Sequence, residues 1–135
     1  MAGARDPEMR RHVSSGSPWE GPYGYSRAVV IGDSCWVAGT TDPGAEHPND
    51  PAGQARAALR IIEKALAEVG FSLGDVVRSR MYVTDPVHTT AVAEVHGEVF
   101  RDIRPAATLV VVAALIEPGL LVEIEVDAVR SQVSR

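Results

Sequence analysis

Residues 122–129 read VEIEVDAV. In a strand, successive side chains alternate between faces. Val122, Ile124, Val126 and Ala128 therefore share one face, and Glu123, Glu125 and Asp127 share the other. The aliphatic face suits a core. Three acids in line on the opposite face repel one another and call for cations or water. The segment VVRSRMYVTD (76–85) alternates in the same way. Its Val77, Ser79, Met81 and Val83 are expected to pack inward, which leaves Arg78, Arg80, Tyr82 and Thr84 on the outer face. Paired with 122–129, it brings Arg78 and Arg80 to the acids.

The rest of the chain supplies what covers the aliphatic face. DPAGQARAALRIIEKALAEVG (50–70) carries Ala55, Ala58, Leu59, Ile62, Ala65, Leu66 and Val69 at three- and four-residue spacing. Asp50 can cap this helix, Pro51 fits its first position and Gly70 can end it. Asp85-Pro86 repeats the start signal for a second helix reaching about Ile103, with Ala91, Val92, Val95 and Val99 inward. SRAVVIGDSCWVAGT (26–40) reads as a hairpin turning at Gly32-Asp33. RRHVSS (10–15) reads as a short edge strand, GSPWEGPYG (16–24) as loop, and TDPGAEHPND (41–50) as a polar loop. AATLVVVAALI (106–116) is too short for a membrane span and is expected to be a buried strand. It forms a closing hairpin with 120–129 around Glu117-Pro118-Gly119. The order β-β-α-β-α-β-β predicts an α+β fold: a two-layer sandwich, a mixed sheet with two helices on one face. Residues 1–10 are expected to be a mobile tail, 11–130 a single domain and 131–135 a second tail.

Composition narrows the function. The chain has 135 residues, a formal charge of −5 and a single lysine, Lys64. An acidic chain without a basic cluster is a poor partner for nucleic acid. No stretch reaches membrane-spanning length and the first residues hold no apolar signal region, so a cytoplasmic location is expected. Cys35 is the lone cysteine and sits in an alternating apolar run, which reads as core. His12, His47, His88 and His96 show no metal-ligand spacing, so neither a metal site nor another cofactor is expected. Dinucleotide, Walker and nucleophile-elbow motifs are absent.

Four stretches taken in order, GYSRAVVIGDSCWVAGTT, QARAALRIIEKALAEVGFSLGDVVRSRMYVTD, RPAATLVVVAALIEPG and VEIEVDAV, resemble the Rid proteins. These are reactive intermediate deaminases, also called YjgF-like and formerly L-PSP endoribonucleases. The likeness runs from about residue 14 to 130. It implies a chorismate-mutase-like fold and a homotrimer whose sheets form a central barrel, with ligand clefts between subunits. It also implies hydrolysis of small imines or enamines. In the family a glutamate near the last strand handles the water, an arginine clamps the substrate carboxylate, and an early tyrosine and backbone N–H groups complete the cleft. Transferred by position, the glutamate is Glu123, the tyrosine Tyr25, and the backbone donors lie near Gly39 and Thr40. The arginine position is Ala107, which cannot clamp a carboxylate by its side chain. Arg80 is the expected substitute, and Trp19 a further cleft residue. The missing arginine leaves a second reading, a non-catalytic trimer that binds a metabolite or regulates.

Overall fold

The computed structural model describes residues 9–131. The expectations for residues 1–8 and 132–135 lie outside the described residues. Six strands form one sheet: β1 (Arg11–Val13), β2 (Ala28–Ile31), β3 (Ser34–Thr40), β4 (Val76–Val83), β5 (Ala106–Val111) and β6 (Val122–Val129). Their order across the sheet is β1-β2-β3-β6-β4-β5. Only β4 and β5 run parallel; the other neighbours are antiparallel. Three helices complete the fold: the single turn α1 (Glu20–Tyr23), α2 (Pro51–Glu68) and α3 (Thr89–Phe100). This is the mixed-sheet α+β sandwich read from the sequence, with β1 as the expected edge strand.

Local chemistry explains the boundaries. Asp50 accepts a hydrogen bond from the Gly53 N–H at 2.9 Å, with Pro51 opening α2. Gly70, at φ +84°, turns the chain after it. Asp85 accepts from the Val87 N–H at 2.9 Å, but a 3-10 turn (Pro86–His88) precedes α3, which ends at Phe100 rather than Ile103. The β2–β3 turn needs one left-handed residue, Gly32 at φ +58°. Within 16–24, Glu20–Tyr23 close a helical turn that the loop reading missed.

The core lies between the sheet and helices α2 and α3. Val30, Cys35, Val122, Ile124, Val126 and Ala128 from the strands meet Ala58, Ile62, Leu66, Val92, Val95 and Phe100 from the helices. Burial pushes the Cys35 thiol up to about 11, so it stays protonated and behaves as a small apolar residue.

Three expectations are overturned. First, 106–116 and 120–129 form no hairpin. β6 inserts between β3 and β4, whereas β5 lies at the sheet edge beside β4. A strand buried under the helices by one full face and paired on both sides gains more than an edge strand, and VEIEVDAV has the cleaner alternating pattern. Second, AATLVVVAALI is not buried: Val110 is 40% and Val111 49% exposed, and Ile116 beyond the strand 88%. Third, Val77 is exposed. The pairing slips between Val76↔Ala128 and Arg78↔Asp127, so Val77 is the extra residue of a bulge and leaves the inward face.

Ser79 is fully buried, and its hydroxyl lies 2.7 Å from His96 Nε2 on α3. Burial holds His96 below its ordinary 6.5. The folded state then binds fewer protons than the unfolded state near that pH, so stability is present above it and falls as the pH drops through it. The urea midpoint is expected to decline from pH 7.5 to 5.5 in the wild type and to flatten in His96→Gln. Equal slopes in the two proteins would remove His96 as the cause.

Candidate functional site

The outer face of the sheet has no helix against it. Here Tyr82, Arg80 and Arg78 stand opposite Glu123, Glu125 and Asp127 in register. Arg80 Nη1 lies 3.2 Å from Glu125 Oε2 and 3.5 Å from Asp127 Oδ2. The Tyr82 hydroxyl donates to Glu125 Oε1 at 2.5 Å, and this bond raises the phenol's pKa. The acids do face arginine, and two of the three are committed to it. Arg80 is thereby held as their counter-ion, in a partly exposed network.

Glu123 differs. Among the described residues nothing hydrogen-bonds its carboxylate. Its pKa is raised, first by burial and then by the Glu125 charge, against an opposing pull from Arg27. The carboxylate lies over Gly39: a Cβ added there would sit 1.9 Å from Glu123 Oε2. Glycine at 39 is thus what admits the acid. Gly39→Ala is expected to swing the Glu123 side chain off this seat at a stability cost of about 1 kcal/mol. NMR titration should show the Glu123 pKa falling back toward that of a free carboxylate. An unchanged Glu123 titration would mean the two do not compete for this space.

Beside Gly39 opens a groove of about 790 Å³. One wall is the loop 14–25, pinned by Glu20, which accepts from Ser14 Oγ at 3.0 Å, from the Ser15 N–H at 2.6 Å and from the Ser15 hydroxyl. These bonds, Ser15's foremost, lower the Glu20 pKa. Trp19 stacks on Tyr23 with ring centroids 5.4 Å apart, and the Tyr25 hydroxyl donates to Ser17 Oγ at 3.0 Å. The opposite wall comes from α2, with Ile61, Lys64 and Glu68, and from Ile116, Glu117 and Leu120. Arg27, Gly39 and Thr40 also line the groove.

The structure thus brings Trp19, Tyr25, Gly39 and Thr40 together at one groove, with Glu123 against the far side of Gly39. It does not bring Arg80 there. Ala107 is exposed on β5 and pairs with inward-facing Ser79, so within one chain it stands on the face opposite Glu123. Sequence reasoning passed over Arg27. The only signal was a lone cation heading an otherwise apolar strand, RAVVI. Among the described residues no group of three His, Cys, Asp or Glu could hold a metal. Among the described residues no helix is long and apolar enough to cross a membrane.

A mixed α+β sheet with one bare, charged face and a groove at its β3 end describes a known class. The family model for Endoribonuclease L-PSP matches residues 20–130. A crystal structure of Rv2704 from Mycobacterium tuberculosis, described as a member of the YjgF/YER057c/UK114 family, superposes with a TM-score of 0.84 at 54% identity. It covers 90% of this chain and 100% of that one. The uncharacterized protein SCO2049 of Streptomyces coelicolor is 39% identical over 129 residues, 93% of this chain and 96% of its own. A RutC family protein of Pyrococcus horikoshii, PH0854, is 33% identical over 108 residues, 77% of this chain and 85% of its own. The chain belongs to the YjgF/Rid family.

Proposed function

We propose that the protein is a Rid-type hydrolase of small imines or enamines, working in the cytoplasm as a homotrimer with clefts between subunits. The carrying observation is Glu123: a half-buried carboxylate on this family's scaffold, without a hydrogen bond among the described residues and with its acid form favoured by its surroundings. In the reaction, water adds to the C=N carbon. Glu123 takes the water's proton and passes it to nitrogen, giving a carbinolamine; it then relays the hydroxyl proton to nitrogen as the C–N bond breaks, releasing a carbonyl compound and ammonia. Tyr25, Gly39 and Thr40 orient the ligand, and Trp19 walls it. The trimer is supported by the bare outer face, where Trp36 is 45% exposed and Val129 45%. Ala107 and Glu123 lie on opposite faces of one chain, so a cleft using both positions draws on two subunits. Light scattering should give about three times the 14.4 kDa chain mass.

Ala107 favours a second reading, a binding or regulatory trimer without turnover. The assay that separates the two uses 2-iminopropionate generated in situ by an amino-acid oxidase, with ammonia release followed in wild type and in Ala107→Arg. Activity in the wild type supports the hydrolase. Activity only in Ala107→Arg shows a scaffold that has left this substrate class. Inactivity in both overturns the hydrolase reading for small imino acids in favour of binding.

A further inference from the structure

Among the described residues Arg27 forms no ion pair. Its Nη1 donates to Thr40 Oγ1 at 2.6 Å and to the carbonyls of Gly39 and Ala38 at 3.2 and 3.4 Å. These three acceptors hold the guanidinium rigidly but carry no charge. The Nε–H is buried with no hydrogen-bond partner, and among the described residues no carboxylate forms an ion pair with Arg27. A part-buried guanidinium with an unused edge is costly unless an anion completes it. The acidic charges acting on Arg27 are those of Glu20 and then Glu123. Glu20 is already taken by Ser14 and Ser15. Arg80, by contrast, is spent on Glu125 and Asp127.

We propose that Arg27 binds the carboxylate of a small organic acid in this groove, supplying the cation that position 107 lacks. The inference rests on the Rid-type reading for the location of the site, though not on turnover. Arg27 lines the groove, and its Nη2, which makes none of the bonds above, can donate a charge-assisted hydrogen bond to a carboxylate there. Trp19, Tyr23 and Tyr25 on one wall and Ile61 and Leu120 on the other then receive the body of the acid. About 790 Å³ far exceeds what a three-carbon acid fills, and apolar surface dominates the walls. The ligand class is therefore a 2-oxo or 2-imino monocarboxylic acid with an aromatic or branched apolar side chain.

The test is calorimetric titration of the full-length protein with phenylpyruvate, a stable 2-oxo counterpart of an aromatic imino acid, and with its uncharged methyl ester. Wild type should bind the acid at least about 10-fold more tightly than the ester. Arg27→Gln should lose that preference, and Arg56→Gln, which breaks only a surface pair with Glu98, should keep it. Equal affinity for acid and ester in wild type overturns the proposal without relying on any variant. So does no binding of either, or loss of the preference in Arg80→Gln but not in Arg27→Gln. If Arg27→Gln fails to fold, the wild-type comparison of acid with ester decides. Tight, Arg27-dependent binding with no imine turnover sinks the hydrolase reading and leaves this one standing. Turnover of the aromatic imino acid that is unchanged in Arg27→Gln does the reverse.

Discussion

Glu123→Gln is expected to lower kcat for imine hydrolysis by about 10²–10⁴-fold, the usual worth of a positioned general base. Glutamine keeps the shape over Gly39 and removes the proton-accepting oxygen. The same change should raise stability at neutral pH. The folded pKa of Glu123 lies above its ordinary value, so its contribution to stability is present at low pH and lost as the pH rises through the folded value. At neutral pH the ionised carboxylate is a burden on the fold, and glutamine lifts it. Melting temperature and initial rate measured on one preparation therefore move in opposite directions. A variant that loses both would mark Glu123 as a structural residue, and one that retains full turnover would remove it from the chemistry.

Gln54→Leu should destabilise the protein by about 3–5 kcal/mol, a large share of the 5–15 kcal/mol typical of a domain. Gln54 is fully buried on α2. Its Nε2 donates to the carbonyls of His47 and Gly119 at 3.0 and 2.9 Å, and its Oε1 accepts from the Leu121 N–H at 2.8 Å. One side chain thus ties two loops and the entrance to β6. Leucine fills the volume but strands the Gly119 carbonyl and the Leu121 N–H, each costing about 1–3 kcal/mol if left dry, and leaves the His47 carbonyl only the Asp50 N–H at 3.3 Å. At roughly 2–4 °C per kcal/mol, the melting temperature should fall by about 10 °C. A drop of one or two degrees would mean that water replaces the amide. The neighbouring Asp42–His47 pair, at 3.0 Å with Asp42 also fully buried, belongs to the same strapping of residues 41–50.

The layers of this fold were legible because they depend on period. Strands with a period of two and helices with apolar residues every three or four positions declare which face turns inward, and VEIEVDAV and 50–70 do so without ambiguity. Strand order was not legible. Pairing β6 with β3 and β4, and displacing β5 to the edge, is a long-range choice that no local pattern near Glu117-Pro118-Gly119 records. The turn chemistry there looked like a hairpin and serves instead to carry the chain across β4. Val77 failed for a related reason, since a bulge shifts alternation by one residue and leaves no trace in VVRSRM. At the site, Tyr25, Gly39 and Thr40 were nominated by likeness to the family and Trp19 as a loop aromatic, and all four line one groove. Arg80 was chosen by face, and the face was right. What alternation cannot tell is whether a cation is already occupied: among the described residues Arg80 has two charged partners and Arg27 has none.

The position of β6 also sets the order of assembly. The strand that joins β1-β2-β3 to β4-β5 is the last of the six to be synthesised. Until residues 122–129 leave the ribosome, the chain can form two half-sheets, each with an open edge where β6 belongs. Neither half can close the core, because Val122, Ile124, Val126 and Ala128 are its centre. Folding of this sheet is therefore held until residues 122–129 have been made, and a chain cut before Val122 exposes two complementary edges to its neighbours. Open strand edges of this kind are what favours aggregation in an unfinished chain.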